Sequence, residues 1–532
     1  MKLAEPAASR RKVGGSTPPI LLRLAAVIAA ALVLVPIIIT INNASSGGWD
    51  MAVRLLWRPL VGELLLNTIQ LVVVVCALCA VIGTVLAWLL ERTDLPGRGI
   101  WAPLAVAPLT IPAFISSYSW LSISPDFAAF GGAVLVITAS YYPFIYLPVA
   151  AALRGMDPAL EETARALGLN IWQMLWRVIL PQLRPALLGG ILLVALNTLV
   201  EFGAFALLRY RTFTTTIYGT YRAGFSGAEP ALLAMVLLVI CILCLAGEAL
   251  IRGKTLHYGR LARGVRRAPW RYELGKWRFA TLVIPALIGL VTVFVPLGTI
   301  GYWMTKPVDA ATTVAGGSYL GLLTTSWSSI SLGLEAALLT LSLALPLALL
   351  AIRYPGMLAT GLERCAYLAQ GLPGIVVALA LISFTVHHLF PLYQSRFLLI
   401  VAYSILFLPL ALVNVRAALM QAQLRLEEAS AVLGMGRFKT FLRVTLPLAA
   451  PGLGAAACMV FIAVVTELTT TLLMAPIGTW TLATELWADT STVAFAAAAR
   501  YAAVMVAISM IASWLLAGRL GRHGVLSFEP NQ

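Results

Sequence analysis

The sequence predicts an all-α polytopic membrane protein of about twelve transmembrane helices, arranged as two homologous six-helix halves. Three observations carry this. Apolar residues make up 60% of the chain and charged residues only 11%, with a mean hydropathy of +0.92, far from the composition of a water-soluble domain. Segments of about 20 apolar residues, enough to cross roughly 30 Å of hydrocarbon, recur along its whole length. The chain also repeats itself: EETARALGLNIWQMLWRVILP, starting at Glu161, returns as EEASAVLGMGRFKTFLRVTLP, starting at Glu427, an offset of 266 (427 − 161) in a chain of 532 residues. At that offset Glu162 meets Glu428, Gly168 meets Gly434, Arg177 meets Arg443 and Leu180-Pro181 meets Leu446-Pro447. The register holds from Pro143 and Pro409 through Pro185 and Pro451 to Glu201 and Glu467, which marks a tandem duplication.

Taken in order, the expected spans of the first half are 20–41, 64–90, 100–121, 132–153, 186–208 and 231–251. Those of the second are 279–304, 331–352, 365–386, 397–420, 449–474 and 501–518. The weakest is 100–121, where Pro103, Pro108 and Pro112 interrupt the run, so protein neighbours must support it. Before the first span, Lys2, Arg10, Arg11 and Lys12 imitate the start of a secretory signal. The apolar run that follows is too long for a signal core and no A-x-A site closes it, so an uncleaved span is expected. The halves divide at 1–265 and 266–532, and a basic linker at about 252–278, with nine Lys and Arg, joins them.

Charge placement supports the same count. Cytoplasmic loops of inner-membrane proteins are enriched in Lys and Arg. With both termini cytoplasmic, 29 of the 37 basic residues fall on that side and 8 on the other. The net charge of +15 therefore reads as topology: contact with membrane lipid, not nucleic acid. Residues 252–278 would also suit a nucleic-acid or anionic-lipid patch, but they are the natural connection between the halves. Cys76-x-x-Cys79 and Cys241-x-x-Cys244 have metal or redox spacing, yet both lie in apolar runs without a second ligand pair, and read as small packed residues. His387 and His388 read as loop residues, so no metal site is expected. No G-x-x-x-x-G-K-[ST] phosphate loop is present either; Gly253-Lys254-Thr255 is a near miss with misplaced upstream glycine.

Between the fourth and fifth spans of each half lies a connection longer than a turn requires, 157–181 and 423–447. In the first, Asp157 is the expected N-cap and Pro158 the first helical residue, and Gly168 ends the helix. A second helix places Trp172, Leu175, Trp176 and Ile179 on one face, with Gln173 and Arg177 on another, before Pro181 launches the next span. The second copy repeats this with Phe438, Phe441, Leu442 and Thr445 against Lys439 and Arg443, ending at Pro447. On physics alone two readings stand level: a knob for a soluble partner, or an amphipathic helix lying in the lipid interface.

The motif itself separates them. Glu162-Thr163-Ala164, Gly168 and Leu180-Pro181, repeated as Glu428-Ala429-Ser430, Gly434 and Leu446-Pro447, resembles the E-A-A, Gly, I-x-L-P loop of permease subunits in binding-protein-dependent ABC importers. Thr163 and Ser430 replace alanines and Val178 and Val444 replace isoleucine, small changes at kept spacing. The resemblance implies that these residues dock two ATP-binding cassette subunits, which bind the ATP and Mg, so the chain itself has no cofactor and no catalytic residue. It further implies a cytoplasmic (inner) membrane location and a periplasmic or lipid-anchored solute-binding protein. VEFGAFALLRYRTFTTTIYGTY from Val200, and ERTDLPGR from Glu91, resemble fused ferric-iron importer permeases. Fused thiamine and phosphonate importers remain the alternative cargo classes, and an ion-coupled secondary transporter, which also uses two six-span halves, or a membrane protein without flux are the alternatives of another kind.

Glu201 and Glu467 lie inside expected spans, about 15 residues or roughly 22 Å along them. Buried acids in a membrane face a cavity or a partner. They either line a substrate pathway as a pair or each pair with Arg209, Arg211 or Arg500. Neither role makes them tight metal ligands, since transport needs release. Arg209, Arg211 and Arg222 cluster on an otherwise nearly neutral outer side, where they are expected to receive the binding protein or to anchor lipid headgroups.

Overall fold

The computed structural model describes residues 18–224, 227–252, 271–308, 319–422 and 424–521, and all regular structure among them is helical. Most of the basic linker and the Gly253-Lys254-Thr255 run lie outside the described residues. The first half comprises α1 (Ile20–Ser46), α2 (Pro59–Arg92), α3 (Arg98–Val106), α4 (Ala113–Ile123), α5 (Phe130–Tyr141), α6 (Pro143–Gly155), α7 (Pro158–Ala166), α8 (Leu180–Val200), α9 (Gly203–Leu207), α10 (Phe213–Ala223) and α11 (Ala228–Arg252). The second opens with the span Gly275–Met304. It continues with α12 (Tyr319–Arg353), α13 (Met357–Leu368), α14 (Gly374–His388), α15 (Arg396–Gln421), α16 (Leu424–Val432), α17 (Leu446–Val465), α18 (Thr469–Met474), α19 (Leu482–Ser491) and α20 (Phe495–Gly521).

Among the described residues ten helices are long and apolar enough to cross a membrane, and two bent pairs bring the number to twelve if each pair counts as one span. The bends are at equivalent places. The helices 98–110 and 113–123 meet at 92°, and 357–371 and 374–388 meet at 107°. Pro112 and Pro373 cause them: each lacks an N–H for the preceding turn and forces Ile111 and Leu372 into extended conformations. The interruption foreseen in 100–121 is thus sharp, whereas 365–386, expected as one span, is broken as well. His387 and His388 accordingly sit in the last turn of α14, not in a loop.

The fifth spans also differ from expectation. Instead of running 186–208 and 449–474, they stop at Val200 and Val465 and restart as the short helices α9 and α18. At their other ends they begin early, inside the connecting loop, as rods Leu175–Val200 and Phe438–Val465. Pro181 and Pro447 therefore do not end an element. A π turn precedes each, at Leu175–Ile179 and Phe441–Thr445, and this wider turn gives the proline ring room without breaking the rod.

The first span of each half packs across the molecule. Ala26, Ala29 and Val33 of α1 lie in a core with Ala336, Ala344 and Leu347 of α12 and Val377 and Ala378 of α14, all of the second half. Reciprocally, Val293 and Ile300 of the span Gly275–Met304 pack with Ile111, Phe114 and Tyr118 of the first half. Small residues at these contacts let helices approach closely where lipid offers no hydrophobic drive.

Candidate coupling loops and membrane carboxylates

Each loop begins as the sequence indicates. Asp157 Oδ1 accepts the Ala159 N–H at 3.0 Å and starts α7. Gly168 ends it at φ +78°, with its N–H on Arg165 O at 2.8 Å and the Leu169 N–H on Ala164 O at 3.1 Å. Gly434 does the same at φ +80° with the Met435 N–H on Ser430 O at 3.0 Å. This left-handed closure is what glycine allows at low cost. Asn170 and Gln173 then cap each other's backbone at 2.8 and 3.1 Å to start the short helix Ile171–Met174, which leads into the rod.

Within the motif, Ala164 and Ser430 are buried while Glu162, Thr163, Glu428 and Ala429 are exposed. The helical face expected from Trp172, Leu175, Trp176 and Ile179 splits: Ile179 is buried, but Trp176 is 65% exposed, and the Trp172 side chain lies outside what the structure describes. The π turn is the reason, because it advances the buried position by five residues. Met174 and Ile179 point inward in the first loop, and Thr440 and Thr445 in the second. Left uncovered are Leu160, Leu167 and Trp176 on one knob and Leu426, Val432, Leu433 and Phe438 on the other.

The strongest polar contact of each loop involves residues that the motif does not single out. Glu161, not Glu162, forms an ion pair with Arg92 at 2.8 Å, both almost wholly buried at 2% and 1% exposure. Glu427 pairs with Arg353 at 2.5 Å and accepts the Thr445 hydroxyl at 2.8 Å. Arg92 and Arg353 are the last residues of α2 and α12, so the second span of each half is pinned to its own loop. The signal was present in the doubled acids and in an arginine closing each second span, but pairing residues some seventy apart needs the fold. Burial pushes the Glu161 carboxyl above its usual range, and Arg92 and then Arg165 pull it back.

At the other break, Glu201 follows the end of α8. Its Oε1 accepts the Ala204 N–H at 2.9 Å, and Tyr141 donates its hydroxyl to Oε2 at 2.6 Å. Glu467 Oε1 accepts both the N–H and the hydroxyl of Thr470 at 3.0 Å. Each acid thus stands at a helix break and caps the short helix beyond it. The two breaks adjoin across the halves: a Cβ on Gly203 would lie 2.8 Å from Leu468 Cδ2. No ion pair joins Glu201 to Arg209 or Arg211 among the described residues; those arginines line a cavity of about 500 Å³ with Tyr210, Thr215, Thr216 and Thr220. Arg222 lies apart, donating to the Tyr218 hydroxyl at 3.2 Å. Among the described residues no three His, Cys, Asp or Glu converge as a metal site.

The family model for the binding-protein-dependent transport system inner membrane component matches residues 81–252 and again 343–522. The chain belongs to this family. It is a multi-pass inner-membrane transport subunit, and not an enzyme. Both matched stretches contain a loop and its acid, and both leave out the first span of the half, the one that packs across. The Fe(3+)-transport system permease protein FbpB 2 of Haemophilus influenzae is 38% identical over 480 residues, covering 90% of this chain and 94% of that protein. Shorter matches are the sulfate permease CysW of Synechocystis, 29% identical over 36% of this chain and 78% of its own, and the molybdenum permease ModB of Escherichia coli, 30% identical over 23% and 60%.

Proposed function

We propose that the chain is the membrane pathway of an ATP-driven importer of ferric iron. The likeness to the Haemophilus permease over nearly its full length is the observation that carries the cargo. In this reading two ATPase subunits dock on the paired knobs, through Glu162, Thr163, Ala164, Gly168, Leu180 and Pro181 and through Glu428, Ala429, Ser430, Gly434, Leu446 and Pro447. The uncovered Leu167, Trp176, Leu433 and Phe438 favour a protein partner over bare water. ATP and Mg belong to that partner, both termini are cytoplasmic, and the halves meet within the basic linker. Closure of the ATPases moves two rigid rods, because each knob runs without interruption into a fifth span that ends at Glu201 or Glu467.

At those ends the paired carboxylates give a passing cation a favourable field without the ligand number that would trap it. The same field opposes sulfate and molybdate, so the shorter matches are not read as cargo. On the outer side a solute-binding protein docks over Arg209, Arg211 and Arg222. The test is uptake of labelled ferric iron into vesicles holding the permease, its ATPase and the binding protein. ATP-dependent iron uptake is expected. Sulfate or molybdate uptake instead would overturn the cargo, and uptake without any ATPase would indicate an ion-coupled carrier.

A further inference from the structure

The two loops are built alike but held differently. In the second, the Arg353–Glu427 pair keeps 16% and 18% exposure. In the first, Arg92–Glu161 is sealed, and what lies over it is Tyr272, from the segment joining the halves. Its N–H donates to Arg92 O at 2.7 Å and its carbonyl accepts the Asp94 N–H at 3.2 Å, a short parallel bridge opposite Thr93. Asp94 Oδ1 in turn accepts the Leu274 N–H at 2.8 Å. The ring stacks on Trp88 of α2 with centroids 5.4 Å apart, and the Arg165 guanidinium of α7 stands 5.1 Å from its centre. The hydroxyl reaches Met174 Sδ, at the end of the short helix Ile171–Met174 that leads into the rod, at 3.7 Å.

One side chain therefore touches the end of the second span, the loop helix and the short helix that leads into the rod. Backbone bonds fix its position, and stacking and cation–π contacts transmit that position to α7. We propose that Tyr272 is a positioning residue for the coupling step: it clamps the first docking loop to the second span, so that the segment joining the halves makes the two loops unequally stiff. The coupling role rests on the reading of these loops as ATPase docking sites; the clamp does not.

The experiment uses the full chain in nanodiscs, with and without its ATPase, and compares the wild type with Tyr272→Ala, Tyr272→Phe and Arg165→Gln. Amide exchange in the free permease is expected to be slower in 158–169 than in 424–435. Tyr272→Ala should speed the first by about tenfold and leave the second unchanged. Tyr272→Phe, which keeps ring and backbone, should restore protection, and Arg165→Gln should produce a smaller rise of the same sign. In the complex, Tyr272→Ala should lower cargo moved per ATP hydrolysed, with Phe rescuing it. Equal exchange in both loops, or a Phe variant as loose as Ala, overturns the proposal. If Ala barely assembles, Arg165→Gln decides alone: unchanged exchange in 158–169 refutes the clamp. Should exchange behave as expected while no ATPase binds either loop, the docking reading fails and the clamp stands.

Discussion

The two loops share a backbone and differ in what lies beneath it. Under the first π turn sit Met174 and Ile179, under the second Thr440 and Thr445. The first loop thus rests on an apolar floor with a dry ion pair beside it. In the second, Thr440 bonds Ser430 at 2.8 Å and Thr445 bonds Glu427 at 2.8 Å, so the pair belongs to a hydrogen-bonded network. Duplication preserved geometry, and each copy found its own way to satisfy the acid that meets the second span. A dry pair is fragile to loss of one member because the other is left charged without water; a networked, partly wet pair has substitutes.

That difference has a large expected effect. Arg92→Ala should destabilise the assembled permease by about 3–5 kcal/mol, leaving Glu161 stranded. Arg353→Ala should cost about 1–2 kcal/mol, with Thr445 and water taking over. Thermal unfolding of the two variants in nanodiscs, side by side, measures the gap, and equal losses would mean that the floors do not matter.

The carboxylates at the helix breaks offer the next comparison. Glu201 is tied to another helix through Tyr141, while among the described residues Glu467 hydrogen-bonds within its own turn, through Thr470. At Glu467 one glutamine amide oxygen can accept both Thr470 bonds, and at Glu201 it can accept the Ala204 N–H while the amide NH2 donates to the Tyr141 hydroxyl, so assembly should survive while iron uptake per intact complex falls by about tenfold. Tyr141→Phe should loosen the first break alone. Normal uptake in the double glutamine variant would remove both acids from the pathway and weaken the case for a cationic cargo.

The glycines closing the loops should behave alike, which is where the comparison predicts no difference. Gly168 and Gly434 have open space where a Cβ would stand, and both have positive φ. The cost of Gly168→Val or Gly434→Val is therefore backbone strain alone, about 1–2 kcal/mol locally, enough to misplace a knob. Co-purification of the ATPase should fall equally for the two, and more than for Glu162→Gln or Glu428→Gln. A strong bias to one side would mean that the loops contribute unequally to docking itself.

Much of this was legible in the sequence because repetition reports equivalence. The 266-residue offset pairs both glycines, both Leu-Pro steps and both membrane acids without any coordinates. What it concealed were departures from ideal periodicity and contacts across the chain. A 3.6-residue period placed Trp176 and Ile179 together, and one π turn separates them. Hydropathy ran 186–208 and 365–386 as single spans, although Glu201 and Pro373 mark where the backbone turns away. Pairing Arg92 with Glu161, or Tyr272 with both, requires knowing that the end of the second span returns beside the loop.

The smallest effect is expected just beyond α9 and α18, where the halves differ in charge. At the duplication offset Arg209 and Arg211 correspond to Ala475 and Ile477, so one half presents two cations beside a cavity and the other an apolar rim, with Ile477 89% and Trp480 51% exposed. If the binding protein meets both, it is steered by charge on one side and held by apolar contact on the other. Reversing both Arg209 and Arg211 to Glu should lower binding-protein-stimulated ATPase activity by about threefold at low salt and change the slope of its salt dependence. Arg222→Glu should do less, since Arg222 already lies against Tyr218 and outside the cavity. Ile477→Ser should weaken docking by a similar factor at every salt concentration, because an apolar contact is not screened. A salt response unchanged in the Arg209 and Arg211 variant, or one that shifts in the Ile477 variant, would show that the rims do not divide the work by charge.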